Sequence, residues 1–181
     1  MSTRDTTSPA DGRNSLPDAW VVRAERAGLD EDFNFREGVA SIHWERFPDP
    51  FTHDKAALEQ YAETLPHDKD KHRSDAPRQI WDFAHNIPIG ALIVTPRLSK
   101  DHRGEVAVGW CRGSAYHVDG APDSVPDLRL PVEWVRTDAP RADFDAATQL
   151  RFNVPHHTVS PIRSAAVVTD ILRRLSLTAP D

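Results

Sequence analysis

The chain has 181 residues, a formal net charge of −6 and one cysteine, and 39% of its residues are hydrophobic. This length predicts one domain with its own core. The acidic balance argues against a protein that coats nucleic acid nonspecifically, although it leaves room for a local basic patch. The lone Cys111 excludes an intrachain disulfide framework, which fits the reducing cytoplasm, and no apolar run approaches the roughly 18 residues of a membrane span.

The first 18 residues are polar and rich in Ser, Thr, Asp and Pro. They have no hydrophobic stretch after the start, so they do not resemble a signal peptide. Such a composition buries too little apolar surface to fold. Residues 1–18 are therefore predicted to be a disordered leader.

Two strands and a helix are predicted next. Residues 20–25 begin with an apolar, β-branched run, and residues 39–44 alternate two kinds of side chain, as a strand with two different faces does. The segment FPDP (47–50) is a turn. Residues 53–65 carry apolar side chains at helical spacing, with Thr52 or His53–Asp54 as the cap region.

The rest of the chain continues the mixture of helices and strands. After a charged loop at 67–75, a second helix is predicted to start with Asp75 as its cap and Pro77 in its first turn, where the missing N–H is harmless. Gly109 marks a bend or bulge in a strand. Three further strands are predicted at 91–96, 105–111 and 130–136, and a last helix at 161–175 with Ser160 as its cap. These elements predict an α+β domain around a small curved sheet or barrel of five to six strands, flanked by two to three helices.

Five segments in this order resemble one known family. They read WVVRAERAG (20–28), FREGVASIHW (35–44), QIWDFAHNIPIGALIVTP (79–96), EVAVGWC (105–111) and PVEWVRTDAPRADF (131–144). The pattern is similar to the N-terminal domain of Mrr-like restriction endonucleases, which also occurs as stand-alone actinobacterial proteins that bind 5-methylcytosine DNA. The resemblance covers about residues 19–160, leaves 161–181 as a C-terminal helix and tail, and implies a PUA-like fold related to the EVE and YTH readers. His43–Trp44 and Gly90–Ala91 depart from the family's Gly-Trp and Gly-Asp.

The resemblance implies a non-catalytic reader without cofactor or metal. Its partner would be double-stranded DNA containing 5-methylcytosine, or also 5-hydroxymethylcytosine, in the cytoplasmic nucleoid. Readers of this kind flip the modified base into an aromatic cage. Flipping costs a few kcal/mol of unstacking, and stacking on one aromatic wall returns about 1–3 kcal/mol.

The pocket candidates follow from this chemistry. Trp44 is the first wall, because it ends a strand just before the proline-containing turn, with a core tryptophan that fills the barrel as the alternative. Trp81 is either a core residue or the second wall. Glu45 is a candidate acceptor for the cytosine N4 amino group. Arg23 is a candidate for a base carbonyl or a phosphate, with an ion pair as the alternative. The full set is Trp44, His43, Glu45, Arg23, Phe47 and Trp81.

Four basic residues are candidates for phosphate contacts. Lys100 and Arg103 have the better claim, because their loop is short and locally basic. The set is Arg26, Lys100, Arg103 and Arg112.

Two other functions stay open. An RNA-binding reader of the EVE or YTH kind has the same fold. A metal-dependent hydrolase is the other alternative, with ligands drawn from His67, Asp68, Asp70, His72 and Asp75 or from His156–His157. The chain has no H-E-x-x-H, paired Cys or G-x-S-x-G motif, which disfavours a zinc site or a serine hydrolase. The apolar C-terminal helix packs either on its own sheet or on a second subunit.

Overall fold

The computed structural model describes residues 15–24, 29–44, 47–65, 70–122, 125–153 and 158–180, with backbone alone for 70–74. The strands are β1 (Ala19–Val22), β2 (Val39–Ile42), β3 (Leu92–Pro96), β4 (Glu105–Cys111), β5 (Tyr116–His117), β6 (Leu128–Pro140) and β7 (Val159–Pro161). The helices are α1 (Leu29–Glu37), α2 (Lys55–Glu63), α3 (Asp70–Trp81), α4 (Ala146–Phe152) and α5 (Ala165–Arg174). None of the described helices is long and apolar enough to cross a bilayer.

The strands form one mixed sheet in the order β2-β6-β4-β3-β1-β7, with the short β5 paired to β6. All neighbours are antiparallel except β1 and β3, which run in parallel. The long strand β6 pairs with β2 and β5 through its first residues and with β4 through the rest. Because of these directions, β2 and β4 end at the same end of the sheet, and β1 and β3 end at the opposite end.

The sheet is curled, and each of its faces carries a core. Trp20 of β1 and Ile42 of β2 belong to the same inner core, although their strands are far apart in the sheet order. Helices α2 and α3 cover this inner face through Leu58 and Ile80. Helices α4 and α5 cover the outer face, where Phe152 of α4 and Ile171 of α5 belong to a second core. The predicted α+β class with a small curved sheet is confirmed, with two helices beyond the predicted range, α1 and α4.

Helix α3 differs from its predicted start. It begins at Asp70 rather than after Asp75, so Pro77 lies inside the helix and not in its first turn. An interior proline removes one helical hydrogen bond and crowds the preceding turn. Burial of Ala76 and Ile80 in the inner core offsets that cost. The helix then continues as a π-helical turn, Asp82–Asn86, before Pro88.

The last helix also starts later than predicted. Residues Val159–Pro161 form the edge strand β7 beside β1, so they are not available to a helix. Helix α5 therefore begins at Ala165, and its cap is Ser164, whose hydroxyl accepts from the Val167 N–H.

Gly109 confirms the predicted bulge, because the register between β4 and β6 shifts on both sides of Val108. A Cβ at Gly109 would lie 2.6 Å from both the Glu133 carbonyl oxygen and the Val132 Cγ1. Gly109→Ala is therefore expected to lower the free energy of unfolding by about 1–3 kcal/mol, the usual cost of overpacking. Urea denaturation measures this. An unchanged midpoint would mean that β6 moves away at no cost.

Candidate functional site

An aromatic group lies at the end of the sheet where β2 and β4 end. Trp44 follows β2 and is partly buried against the inner core. Its ring centroid is 6.5 Å from that of Phe47, with the planes inclined at 49°. Phe47 stands edge-on to Tyr61 of α2, with ring centroids 5.2 Å apart. Three aromatic rings thus follow one another from the strand end to helix α2.

A second aromatic group connects the 47–54 loop with the end of α3 and the π-helical turn. Trp81 at the end of α3 packs against the His85 ring with centroids 4.1 Å apart, and Phe51 stands edge-on to His85 at 5.5 Å. The loop is tied to this group because His85 Nε2 is 2.9 Å from the Pro50 carbonyl oxygen. We call both groups together the aromatic rim; its members are Trp44, Phe47, Phe51, Tyr61, Trp81 and His85.

Polar side chains lie beside Trp44 at the same end of the sheet. The Asp127 carboxylate lies between two imidazoles, 3.9 Å from His43 Nδ1 and 3.5 Å from His117 Nε2. His117 Nδ1 is 3.0 Å from an Asp119 oxygen and 3.9 Å from an Asp49 oxygen. We call these five residues the His–Asp cluster. It places carboxylate acceptors next to the aromatic rim, since His43 directly precedes Trp44.

In the described part of the chain, no group of three or more His, Cys, Asp or Glu side chains is arranged to hold a metal ion. Of the other proposed ligands, Asp75 belongs to no such group. His67, Asp68 and His156–His157 lie outside the described residues, and the side chains of Asp70 and His72 are not described. The described side chains at the rim offer aromatic faces for stacking and carboxylate and imidazole groups for hydrogen bonding.

The predicted pocket residues divide into three groups. The structure brings Trp44, His43 and Phe47 together, and Trp81 joins them through the 47–54 loop. Glu45 lies outside the described residues. Arg23 is not brought to this group.

Arg23 lies at the opposite end of the sheet, just after β1. Its Nη2 donates to the Phe152 carbonyl oxygen at 2.6 Å, beside the outer core. Burial and the positive charges of Arg141 and Arg151 lower the pKa of Arg23 to about 10. Arg23 is thus a half-buried side chain close to Arg141 and Arg151, and it lies far from the Trp44 ring.

The predicted phosphate contacts also lie at different ends. Lys100 and Arg103 are exposed in the turn that precedes β4. Strand β4 separates this turn from the end that carries the aromatic rim. The six steps from Glu105 to Cys111 span about 20 Å at 3.4 Å per residue. Arg112 follows β4 at the rim end, where its guanidinium is paired with the exposed Glu133 at 2.6 Å. Arg26 lies outside the described residues.

Sequence reasoning missed several residues around Trp44. The carboxylates of Asp49 and Asp127 come from two loops and the ring of His117 from strand β5, and only the folded chain brings them together. Asp49 stands inside the FPDP turn, so its nearness to Phe47 was the one available signal. Phe51 and Tyr116 at this end are each 40% exposed.

A cleft of about 550 Å³ opens on the other side of the π-helical turn from His85. Its walls are the start of β1, the π-helical turn and the start of α5, and they include Trp20, Asp82, Asn86, Ile162, Arg163 and Val168. Asp82 is already bound by Arg78 at 3.0 Å and by Asn86 at 2.7 Å. No member of the aromatic rim or of the His–Asp cluster lines this cleft.

Comparison with known proteins adds no relative. No protein-family model matches the chain, and no curated protein matches it significantly. The fold and the site define an α+β domain. Its curled sheet carries aromatic and carboxylate side chains at one end and the half-buried Arg23 and its arginine neighbours at the other.

Proposed function

We propose that the chain is a non-catalytic reader of modified DNA that holds a flipped 5-methylcytosine against the aromatic rim. The observation that carries the proposal is the pair Trp44 and Phe47, two partly buried rings 6.5 Å apart at a strand end. A ring of this kind is buried enough to be held rigidly and open enough to receive a base. Stacking returns about 1–3 kcal/mol per base, which matches the few kcal/mol that extrusion costs.

The His–Asp cluster supports the choice of cytosine. Cytosine presents its N4 amino group as a donor, which Asp and Glu accept. The carboxylates of Asp127 and Asp49 lie on either side of the His117 ring, and that of Asp127 also lies 3.9 Å from His43 Nδ1. Either carboxylate is a suitable acceptor beside a base stacked on Trp44. The methyl group adds about 0.8 kcal/mol when it is buried, a preference of about fourfold.

A binding panel tests this function. We expect a duplex with a central 5-methylcytosine to bind more tightly than the same duplex unmodified, and RNA of the same sequence to bind more weakly than either. Fluorescence anisotropy at fixed salt measures all three, with a 5-hydroxymethylcytosine duplex as a fourth ligand. Equal affinity for methylated and unmodified DNA contradicts the proposed function as a reader of modified DNA. Tighter binding of the RNA, prepared with 5-methylcytosine at the same position, assigns the site to RNA.

The phosphate contacts of Lys100 and Arg103 form part of the same proposal. They lie about 20 Å from the aromatic rim, which is about six base pairs of B-DNA at 3.4 Å each. A duplex running along the sheet therefore reaches both ends. This arrangement predicts that the turn before β4 contributes affinity without sequence or methyl preference.

Salt dependence measures that contribution. Replacing Lys100 and Arg103 by Ala is expected to flatten the slope of log K against log salt by about 0.9 for each lost phosphate contact. The preference for the methylated duplex should stay unchanged. Arg36→Ala is the matched control, since Arg36 is exposed and paired with Glu37 at 2.9 Å. An unchanged slope in the double variant would place the DNA elsewhere.

A further inference from the structure

Three half-buried arginines surround the C-terminal turn of α4. Arg23 Nη2 donates to the Phe152 carbonyl oxygen at 2.6 Å, and Arg141 Nη1 donates to Asn153 Oδ1 at 2.6 Å. Arg151 belongs to the same turn, and its Nη2 donates to the Ser160 hydroxyl and the Pro161 carbonyl oxygen. We call Arg23, Arg141 and Arg151 the arginine cluster. The three side chains come from the residue after β1, from the segment after β6 and from α4.

The acceptors in the described hydrogen bonds of this cluster are neutral oxygens. Arg141 also donates to the carbonyl oxygens of Glu105 and Arg97, at 3.1 Å each. These bonds fix the Arg141 and Arg151 guanidiniums without neutralising their charge. The carboxylate that acts on Arg141 is Glu31, whose oxygens already accept from Arg97 Nε and from the N–H groups of Leu98 and Ser99.

The electrostatics show that the positive charges oppose one another. Burial and the neighbouring charges of Arg141 and Arg151 lower the pKa of Arg23 to about 10. Burial also lowers the pKa of Arg151, and it lowers that of Arg141 against the attraction of Glu31. All three stay protonated at neutral pH, so their mutual repulsion persists in the folded protein. An anion among them would relieve that repulsion.

We propose that the arginine cluster binds a phosphate group. Guanidinium groups recognise phosphate through paired N–H donors. In the described contacts, Arg151 uses Nη2 alone, so its Nε and Nη1 are available to a ligand. A cluster already held by main-chain acceptors loses little side-chain entropy on binding. This site does not depend on the reading of a modified base, because it lies at the opposite end of the sheet from the aromatic rim.

Two sources share this chemistry, free phosphate and the backbone of a nucleic acid. Inorganic phosphate is the first probe, compared with chloride at equal ionic strength. A ligand that binds the folded state at ten times its Kd should raise the Tm of a protein of this size by about 3–6 °C. Arg151→Gln should lose this increment, and Arg136→Gln should keep it, since Arg136 lies exposed beside Asp138. Each variant is compared with its own Tm in chloride, so a general loss of stability does not obscure the result.

Calorimetric titration with phosphate, at a temperature where each variant is folded, gives a second measurement. An unmodified duplex distinguishes the sources, because Arg151→Gln should flatten its salt slope by about 0.9 if the ligand is a backbone phosphate. A phosphate-specific rise in Tm without that change in slope assigns the site to free phosphate. Either result supports the site. It is overturned if wild-type protein shows no phosphate-specific rise, no heat of binding and the same slope as Arg151→Gln.

Discussion

Trp44→Ala is expected to weaken binding of methylated DNA by about 1–3 kcal/mol, a loss of about 5- to 150-fold, because a base loses its stacking surface. Its effect on stability should be much smaller than that of a core tryptophan, since Trp44 is only partly buried. Anisotropy titration and urea denaturation of the same variant measure the two effects separately.

Trp20→Ala is the matched control for stability. Trp20 is 8% exposed and belongs to the inner core. Its truncation should cost about 3–5 kcal/mol of unfolding free energy, through lost burial and the cavity left behind. If Trp44→Ala is as destabilising as Trp20→Ala and still binds methylated DNA when folded, Trp44 is a core residue and Trp81 becomes the first wall to test.

The second large effect is expected at the buried ion pair of Glu31 and Arg97. Glu31 is fully buried, and its Oε2 accepts from Arg97 Nε at 2.8 Å. Its other oxygen accepts from the N–H groups of Leu98 and Ser99. Glu31→Gln leaves the Arg97 charge buried without its counter-ion, which typically costs about 3–5 kcal/mol. Urea denaturation at neutral pH measures the loss.

Glu133→Gln is the control, because it breaks the exposed pair of Arg112 and Glu133. Exposed pairs contribute about 0–1 kcal/mol, so this variant should remain close to wild type. Equal effects of the two substitutions would show that the Glu31 pair adds no more than a surface pair.

The same ion pair predicts a pH dependence of stability. Burial alone would raise the pKa of Glu31, but the hydrogen bonds and charge of Arg97 and the Leu98 and Ser99 N–H groups outweigh it, so the net pKa is lowered. The stabilisation is therefore complete above the unfolded-state value of about 4.3 and is lost as the pH falls through the lower folded-state value. Glu31→Gln should remove this component of acid destabilisation.

Strong local patterns in the sequence predicted much of the sheet. The continuous apolar run of β3 and the strand β4 with its bulge at Gly109 lie where they were expected, because burial and a close backbone approach determine them locally. Helix α1 was missed for the opposite reason. Its buried residues are Asp30, Glu31 and Asn34, and partners distant in sequence hold them, such as Ser41 on Asn34 at 2.5 Å.

The site was only partly predictable, because its parts depend on register and topology. Trp44, His43 and Phe47 lie within five residues of one another, so a local pattern brings them together. The position of Arg23 depends on which face of β1 each residue occupies. Arg23 is two residues after Val21, so its side chain lies on the same outer face. The distance between Lys100 and Trp44 depends on the direction of β4, which no local pattern reveals.

The most direct measurement of the central claim is base extrusion at the aromatic rim. A duplex carrying 2-aminopurine beside the 5-methylcytosine reports the unstacking of its neighbour as a rise in fluorescence. Wild-type protein should produce this rise with the methylated duplex and a smaller one with the unmodified duplex. Trp44→Ala at saturating concentration should produce little. Tight binding of the methylated duplex by wild-type protein without any rise would contradict a reader that flips its base.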